Sequence, residues 1–258
     1  MFREERIRNI IELINKDKKV YVKDLAKRFN RSESSIRLDL SELEERGLIL
    51  RTHGGAMIID SAMKNIELRK KILSSRINLF KEEKQRIGSA TVDLIHDGDS
   101  ILIDGGSTTA YVAQNLGKKN GLTVITSSIH LLPHLIEIPE IKIFLTGGFY
   151  FREYEELVGE ISLDSLNRFK PDHTIMGIDG ISLEHGLTSL EPIIAPLKRK
   201  MIAASKDIII VSDHSKFGRV CLLPVANLQD VQKIVTDNKV EKEFIESIQN
   251  QGLSILAV

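Results

Sequence analysis

The sequence predicts an α/β protein in two parts: a small N-terminal helical domain with a β-hairpin, and a larger C-terminal domain with a mostly parallel sheet. Over residues 1–59, apolar side chains recur at helical spacing in three short segments, and two short apolar runs follow around paired glycines. From residue 81 to 258, short β-rich runs alternate with helix-length segments, which is typical of βαβ units. Residues 60–80 are charged, lack turn signals and are predicted to be a connector.

The composition excludes several classes of protein. The chain has 258 residues, 42% of them hydrophobic, which is enough for a core and excludes low-complexity disorder, collagen and a coiled-coil rod. No run approaches the ~20 apolar residues of a membrane helix, and Met1–Arg6 mixes acids and bases, unlike a signal peptide. The single cysteine, Cys221, fits a reducing compartment and is expected to be buried and inert. We therefore expect a cytoplasmic protein that does not contact membranes.

The charge is unevenly distributed along the chain. The net charge is zero, with 36 basic and 36 acidic residues, but residues 1–72 hold 17 Lys and Arg against 12 Asp and Glu. Residues 73–258 therefore hold 19 Lys and Arg against 24 Asp and Glu. A basic N-terminal part can neutralise phosphates locally, so the asymmetry favours nucleic acid as a partner of that part.

Three helices are expected in the N-terminal domain. Isoleucines at helical spacing predict the first over Glu4–Asn15, and an apolar face predicts the second over Val22–Phe29. Ser32 is the expected N-cap of the third helix, and Gly47 ends it. The second and third helices, at about residues 20–39, have the spacing of a helix-turn-helix.

A β-hairpin follows the third helix. Leu48–Arg51 and Ala56–Ile59 are short apolar runs that flank Thr52–Gly55, where two glycines permit a tight turn. Three helices and a two-stranded wing make a winged helix-turn-helix, whose third helix enters the major groove of double-stranded DNA. An ordinary solvated helix end would carry the same small and polar residue types. The expected DNA contacts are Lys23, Ser32, Ser34, Ser35, Arg37, Arg51, Thr52, His53, Gly54 and Gly55.

In the C-terminal domain, the apolar runs predict seven strands. They are Ser100–Ile103, Leu122–Thr126, Ile141–Thr146, Thr174–Gly177, Ile208–Val211, Lys233–Thr236 and Leu253–Leu256. Amphipathic spacing predicts a helix over Lys81–His96, and another helix runs from the loop after the first strand to Leu116.

The loop Gly105–Thr109 follows a strand and opens a helix, so backbone amides and hydroxyls converge at a positive helix terminus that suits a phosphate. A purely structural strand-to-helix turn is the alternative. The loop matches neither a Walker sequence nor a dinucleotide fingerprint.

His130 and His134 are four residues apart, but Pro133 lies between them, and we expect no metal and no cofactor.

Several stretches resemble the DeoR family of bacterial transcription regulators. They are Ser34–Leu40, Leu43–Gly47, Arg51–Ala56, Ile103–Thr108, Gly177–Ile181, Gly186–Thr188 and Ser212–Gly218. Two departures stand out: Arg37-Leu38 replaces the two adjacent arginines usual in the recognition helix, and Ser127-Ser128 stands where Asn-Ser is more frequent. The resemblance implies a C-terminal domain similar to ribose-5-phosphate isomerase and glucosamine-6-phosphate deaminase, with a sugar-phosphate site.

That resemblance places the effector site at the carboxyl ends of the strands, where open α/β sheets bind ligands. Asp104 and Asp179 are expected to bind sugar hydroxyls, and Lys216 the phosphate or a ring oxygen. The expected effector-binding residues are Asp104, Gly105, Gly106, Ser107, Thr108, Thr109, Ser127, Ser128, Gly147, Gly148, Asp179, Gly180 and Lys216.

The family resemblance implies a repressor of a sugar-metabolism operon that acts as a homodimer or homotetramer and is controlled by a phosphorylated sugar. The alternative is a sugar-phosphate isomerase or deaminase with an attached DNA-binding domain. Such an enzyme needs a general base over the substrate carbon. Between Leu190 and Pro196, where many relatives have glutamates, only Glu191 is acidic. The sequence therefore favours a regulator without catalytic activity.

Overall fold

The computed structural model describes residues 3–45, 48–52, 54–58 and 76–258. The chain divides into two compact units, Met1–Leu79 and Phe80–Val258. Within the described ranges, no helix is long and apolar enough to cross a membrane. The predictions for Gly47, for His53 and for most of the connector lie outside the described residues.

Three helices form the N-terminal unit: α1 (Arg3–Asp17), α2 (Val22–Phe29) and α3 (Glu33–Glu45). Their apolar faces meet in one buried cluster that includes Ile7, Ile10, Ile14, Leu25, Ile36, Leu40 and Leu43. The predicted cap of α3 is confirmed, because the amide of Ser35 donates to Ser32 Oγ at 3.2 Å. The α2–α3 pair is thus the predicted helix-turn-helix.

The wing has one more strand than predicted. Strands β1 (Lys19–Tyr21), β2 (Ile49–Thr52) and β3 (Gly55–Ile58) form an antiparallel sheet in the order β1-β3-β2. The prediction of a two-stranded wing was therefore wrong, because it missed β1, which is too short to give an alternating pattern. Its approach explains Gly55, because a Cβ there would lie 2.1 Å from the carbonyl oxygen of Val20.

The C-terminal unit contains twelve strands and six helices among its described residues. The strands are β4 (Ser100–Ile103), β5 (Thr123–Thr126), β6 (Lys142–Leu145), β7 (Phe149–Phe151), β8 (Glu156–Val158), β9 (His173–Met176), β10 (Gly180–Ser182), β11 (Gly186–Ser189), β12 (Asp207–Val211), β13 (Leu223–Ala226), β14 (Lys233–Thr236) and β15 (Ser254–Ala257). The helices are α4 (Lys81–Asp93), α5 (Ser107–Asn115), α6 (Leu132–Leu135), α7 (Glu160–Leu166), α8 (Ala195–Ala204) and α9 (Lys242–Asn250).

Seven of the strands form one parallel sheet in the order β15-β14-β12-β9-β4-β5-β6. These are the seven predicted strands, each within one residue at either end, so the predicted α/β class is confirmed. Helix α4 ends at Asp93, three residues before the predicted end. Two small antiparallel sheets were not predicted from the sequence: the two-stranded sheet β7–β8 and the three-stranded sheet β10–β11–β13.

The parallel sheet separates two apolar cores and has two chemically different edges. Along β12, Ile208 and Ile210 face one core while Ile209 and Val211 face the other, as the alternation of side chains in a strand requires. All carboxyl ends of the strands lie at one edge, which carries the loops after β4, β5, β9 and β12. All amino ends lie at the opposite edge.

Candidate functional site

A buried ion pair occupies the carboxyl edge of the sheet. Asp104 follows β4 and is 3% exposed, and Lys198, on α8, is 6% exposed. The Lys198 ammonium donates to Asp104 Oδ2 and, at 2.8 Å, to the carbonyl oxygen of Gly177. The amide of Gly177 donates to Asp104 Oδ1 at 3.1 Å. The pair therefore joins the ends of β4 and β9 to α8.

The ammonium of Lys198 stays charged in this site. Burial lowers the pKa of Lys198, but the negative charges of Asp104 and Asp179 outweigh that effect and raise the pKa, and Glu156 adds to the increase only in its ionised form. The cluster is thus electrostatically coupled over four side chains from different elements.

Glu156 is a second buried carboxyl group beside this pair. It begins β8, is 3% exposed, and accepts a hydrogen bond from Ser127 Oγ at 2.5 Å and one from the amide of Gly105. Burial is the main cause that raises the pKa of Glu156 from 4.5 to about 8, and the charge of Asp104 raises it further. The group is therefore predominantly protonated at neutral pH.

Gly105 permits the approach of Glu156. A Cβ on Gly105 would lie 1.7 Å from Glu156 Oε1 and 2.7 Å from Ser128 Oγ. The hydroxyl of Ser128 is buried and has no hydrogen-bond partner within the described part of the chain. Glycine at position 105 is thus required by the close contact of the β4 loop with β8 and with the end of β5.

Asp179 is electrostatically coupled to Asp104 and Lys198, and Lys216 ends a short 3₁₀ turn after β12. Asp179 Oδ2 accepts hydrogen bonds from Ser189 Oγ at 2.8 Å and from the amide of Leu190 at 3.1 Å. Lys216 is 8% exposed, and both it and Asp179 act electrostatically on the thiol of Cys221. Cys221 is only partly buried, contrary to the prediction, although burial raises the pKa of its thiol, which fits an inert residue.

The structure therefore assembles several of the residues predicted to bind the effector. Asp104, Gly105, Ser127 and Ser128 surround Glu156, and Asp179 is coupled to Asp104 and Lys198. Of the others, Gly106, Ser107, Thr108 and Thr109 form the start of α5, Gly147 and Gly148 join β6 to β7, and Gly180 begins β10.

Lys198 and Glu156 were not among the residues predicted from the sequence. The burial of Lys198 could have been predicted from its spacing, because it lies three residues from both Ala195 and Met201, on the buried face of α8. Nothing local in the sequence indicates that Glu156 is buried, since a glutamate between two turns is usually solvated.

On the N-terminal unit, the predicted DNA-binding residues Ser32, Ser34 and Arg37 are exposed, and Ser35 is half-buried. Arg37 is paired with Glu33 at 3.0 Å within the helix. Arg51 is held differently: its Nη1 donates to Ser41 Oγ at 2.8 Å, and its amide donates to Glu44 Oε1 at 3.1 Å. Arg51 therefore fastens the wing to α3.

A winged helix-turn-helix unit followed by an α/β unit with a charged cluster at its carboxyl edge defines a DNA-binding regulator with a sensor domain. Residues 6–62 match the DeoR-like helix-turn-helix domain, and residues 80–238 match the DeoR C terminal sensor domain. The chain belongs to the DeoR family of transcriptional regulators.

Curated relatives match along nearly the whole chain. The HTH-type transcriptional repressor GlcR of Bacillus subtilis (strain 168) is 31% identical over 99% of this chain and 96% of its own length. The HTH-type transcriptional regulator GolR of Listeria innocua is 30% identical over 99% and 98%. The glycerol-3-phosphate regulon repressor of Escherichia coli (strain K12) is 32% identical over 92% of each.

Solved structures match at lower similarity. Ribose 5-phosphate isomerase A from Methanocaldococcus jannaschii is 17% identical, covering 53% of this chain and 54% of that one with a TM-score of 0.39. Translation initiation factor eIF-2B from Pyrococcus horikoshii OT3 is 14% identical, covering 87% and 81% with a TM-score of 0.45.

Proposed function

We propose that this regulator represses genes of sugar metabolism and that a phosphorylated sugar, bound at the carboxyl edge of the C-terminal sheet, controls its affinity for operator DNA. The observation that carries the proposal is the buried cluster of Asp104, Lys198 and Glu156 beside the Gly105–Thr109 loop. Relatives named as repressors, one of them of a glycerol-3-phosphate regulon, support it.

The proposed ligand contacts follow from the chemistry of this edge. The first turn of α5, which begins at Ser107, offers amides and hydroxyls for a phosphate, with Lys216 as the expected cation. Asp104 and Asp179 are the expected acceptors for sugar hydroxyls. Because the Asp104 carboxylate already accepts from Lys198 and Gly177, a hydroxyl contact there requires a further lone pair of the same carboxylate.

Control of DNA binding requires a difference in ligand affinity between two states. A ligand shifts operator affinity only by as much as it prefers the free or the DNA-bound conformation. One small winged domain contacts too few bases for operator-level affinity, so we propose a homodimer or homotetramer on double-stranded DNA.

The direct test is a thermal-shift screen of the purified protein against phosphorylated sugars and their unphosphorylated counterparts. We expect one or a few phosphorylated compounds to raise the melting temperature and to change operator affinity in fluorescence anisotropy. Stabilisation by the unphosphorylated sugars alone, or by no compound in the panel, would contradict the proposal.

For the effector site, we expect Lys216→Ala to abolish most effector binding while operator binding in the absence of ligand is unchanged. The reason is that a charge-assisted hydrogen bond to phosphate contributes more than a neutral one. Calorimetry measures the effector affinity, and anisotropy measures operator affinity with and without ligand. Lys206→Ala, at an exposed lysine, is the control. A full effector response in the Lys216 variant would place the phosphate elsewhere.

For the DNA-binding surface, we expect Arg37→Ala and Arg51→Ala each to weaken operator binding. If Arg37 reads a base, its loss costs roughly 1–3 kcal/mol and relaxes specificity at one position. If Arg51 contacts phosphate alone, its loss lowers the salt slope by about 1 for all sequences. Anisotropy with a duplex selected in vitro, at several salt concentrations, measures both. Lys16→Ala, on the exposed end of α1, is the control, and wild-type affinity in both arginine variants would refute the assignment.

We also propose that the protein does not catalyse sugar-phosphate conversion. Glu191 lies in the turn before α8, where its carbonyl oxygen accepts the amides of Ile194 and Ala195, and no second glutamate lies between Leu190 and Pro196. We expect no turnover of ribose 5-phosphate or glucosamine 6-phosphate in coupled assays. Sustained turnover that disappears in Asp179→Asn would favour the alternative, an isomerase or deaminase with a DNA-binding domain.

A further inference from the structure

A cluster of histidine and aspartate side chains lies at the amino-terminal edge of the parallel sheet, opposite the effector edge. Asp99 directly precedes β4, and His173 is the first residue of β9. The two strands are parallel neighbours, with Ile101 paired to His173. The adjacent turn adds His96, three residues before Asp99. Topology thus brings together side chains that are far apart in the sequence.

The donor atoms of this cluster have the separations of ligands that share one ion. Asp99 Oδ2 lies 3.1 Å from His173 Nε2 and 3.6 Å from His96 Nδ1. One ligand atom from each residue lies within 4.8 Å of the other two. Two ligands bonded at about 2.0–2.1 Å to a tetrahedral zinc ion lie about 3.3 Å apart. The two separations from Asp99 are close to this value, whereas the remaining one, at up to 4.8 Å, must shorten by as much as about 1.5 Å, which rotation of the exposed His96 side chain can supply.

A second observation concerns the other nitrogen of the His173 ring. Nδ1 lies 2.5 Å from Oδ2 of Asp207, the first residue of β12. This contact fixes the ring so that Nε2 is directed at Oδ2 of Asp99, 3.1 Å away, an oxygen that also accepts the amide of His96 at 2.7 Å. A cation bound by both Nε2 and Oδ2 would replace their direct contact. Carboxylate–histidine–metal arrangements have the same geometry, with the outer carboxylate fixing the tautomer.

We propose that His96, Asp99 and His173 bind a divalent transition-metal ion, with Zn²⁺ as the preferred ion and Asp207 orienting His173. Two imidazoles and one carboxylate suit zinc, and the fourth position is left for water or another ligand. The His96 side chain is 85% exposed, so the ion has direct access from solvent. The expectation of no metal rested on Pro133 between His130 and His134, whereas these three ligands come from separate segments and form no motif.

Such an ion would fasten the amino ends of β4 and β9, and through Asp207 that of β12. Because these strands carry Asp104, Gly177 and the Lys216 segment at their other ends, the site would stabilise the framework of the effector site without touching it. Effector binding and metal binding are therefore separable, and the metal site can be tested with the metal alone.

The test uses the full-length protein, with any affinity tag removed and metal stripped by a chelator, titrated with Zn²⁺ by calorimetry and with Co²⁺ by visible absorption. We expect one ion per chain, a four-coordinate Co²⁺ spectrum, and a higher melting temperature of the metal-bound protein. His173→Gln abolishes uptake. His96→Ala weakens it about tenfold or more, and because His96 is exposed this variant remains folded.

Two variants serve as controls. His185→Ala removes another exposed histidine, 53% exposed, and His134→Ala disrupts the His130–His134 pair, whose ring centroids are 6.4 Å apart. Both are expected to bind Zn²⁺ like the wild type. The proposal is overturned by the absence of Zn²⁺ uptake, as expected if His173 only forms hydrogen bonds with Asp99 and Asp207. Equal affinity in His96→Ala and wild type, or loss of uptake in His134→Ala alone, also overturns it.

Discussion

Replacing Lys198 by methionine is expected to lower the free energy of unfolding of the C-terminal domain by about 3–5 kcal/mol, because it leaves a buried carboxylate without its counter-ion. Asp104 would keep the amide of Gly177 as a donor, at 3.1 Å, but lose the ammonium that neutralises it. Methionine fills nearly the same volume, so the effect reports charge rather than a cavity. Urea denaturation followed by circular dichroism measures it, since the chain contains no tryptophan.

Two further variants show whether the effect belongs to the ion pair. Lys200→Met changes a neighbouring, less buried lysine of α8 and is expected to change stability far less. The double variant Asp104→Asn/Lys198→Met removes both charges and is expected to recover part of the loss. If Lys198→Met were as stable as the wild type, Asp104 would not depend on the ammonium for its burial.

The strands of the parallel sheet could be predicted because each leaves a local trace in the sequence. Runs such as Ile101–Ile103 and Ile208–Val211 are buried on both faces, so they are continuously apolar, and loop residues end them. The N-terminal helices were predictable for a similar reason, since a stripe of isoleucines marks the buried face of α1 and a serine caps α3.

The remaining elements depend on contacts that are distant in sequence. Strand β1 has three residues and exists because it pairs with β3, and β13 exists because it pairs with β11. Neither is long enough for periodicity to separate it from a loop. The short hairpin β7–β8 is of the same kind, and it carries Glu156 into the site.

The candidate site was predictable only where loops follow predicted strands. Asp104 and Ser127 directly follow β4 and β5, so the parallel topology places them at one edge. The helical spacing of Lys198 indicates its buried face, but not its partner Asp104, which is 94 residues away. Glu156 enters from a hairpin, and no local pattern reveals its burial. The same holds for His173, whose neighbours Asp99 and Asp207 come from different strand starts.

The protonated state of Glu156 predicts a pH-dependent stability. Its pKa is raised to about 8 in the folded protein, against 4.5 for an ordinary glutamate. Between these values the folded state holds a proton that the unfolded state has released, so the free energy of unfolding falls as pH rises, by up to about 1.4 kcal/mol per pH unit. Below the lower value the contribution is constant, and above the higher value the full cost of burying the carboxylate is present.

Glu156→Gln removes this titration while keeping the shape of the side chain and an acceptor for the amide of Gly105. We expect the variant to gain stability over the wild type progressively from about pH 5 to about pH 8, reaching several kcal/mol at the upper end. Urea denaturation at intervals across this range measures the difference. Glu160→Gln, at an exposed glutamate of α7, is the matched control and should follow the wild-type profile. A constant difference between Glu156→Gln and wild type across the range would mean that Glu156 is ionised in the folded protein, with Lys198 then shared between two carboxylates.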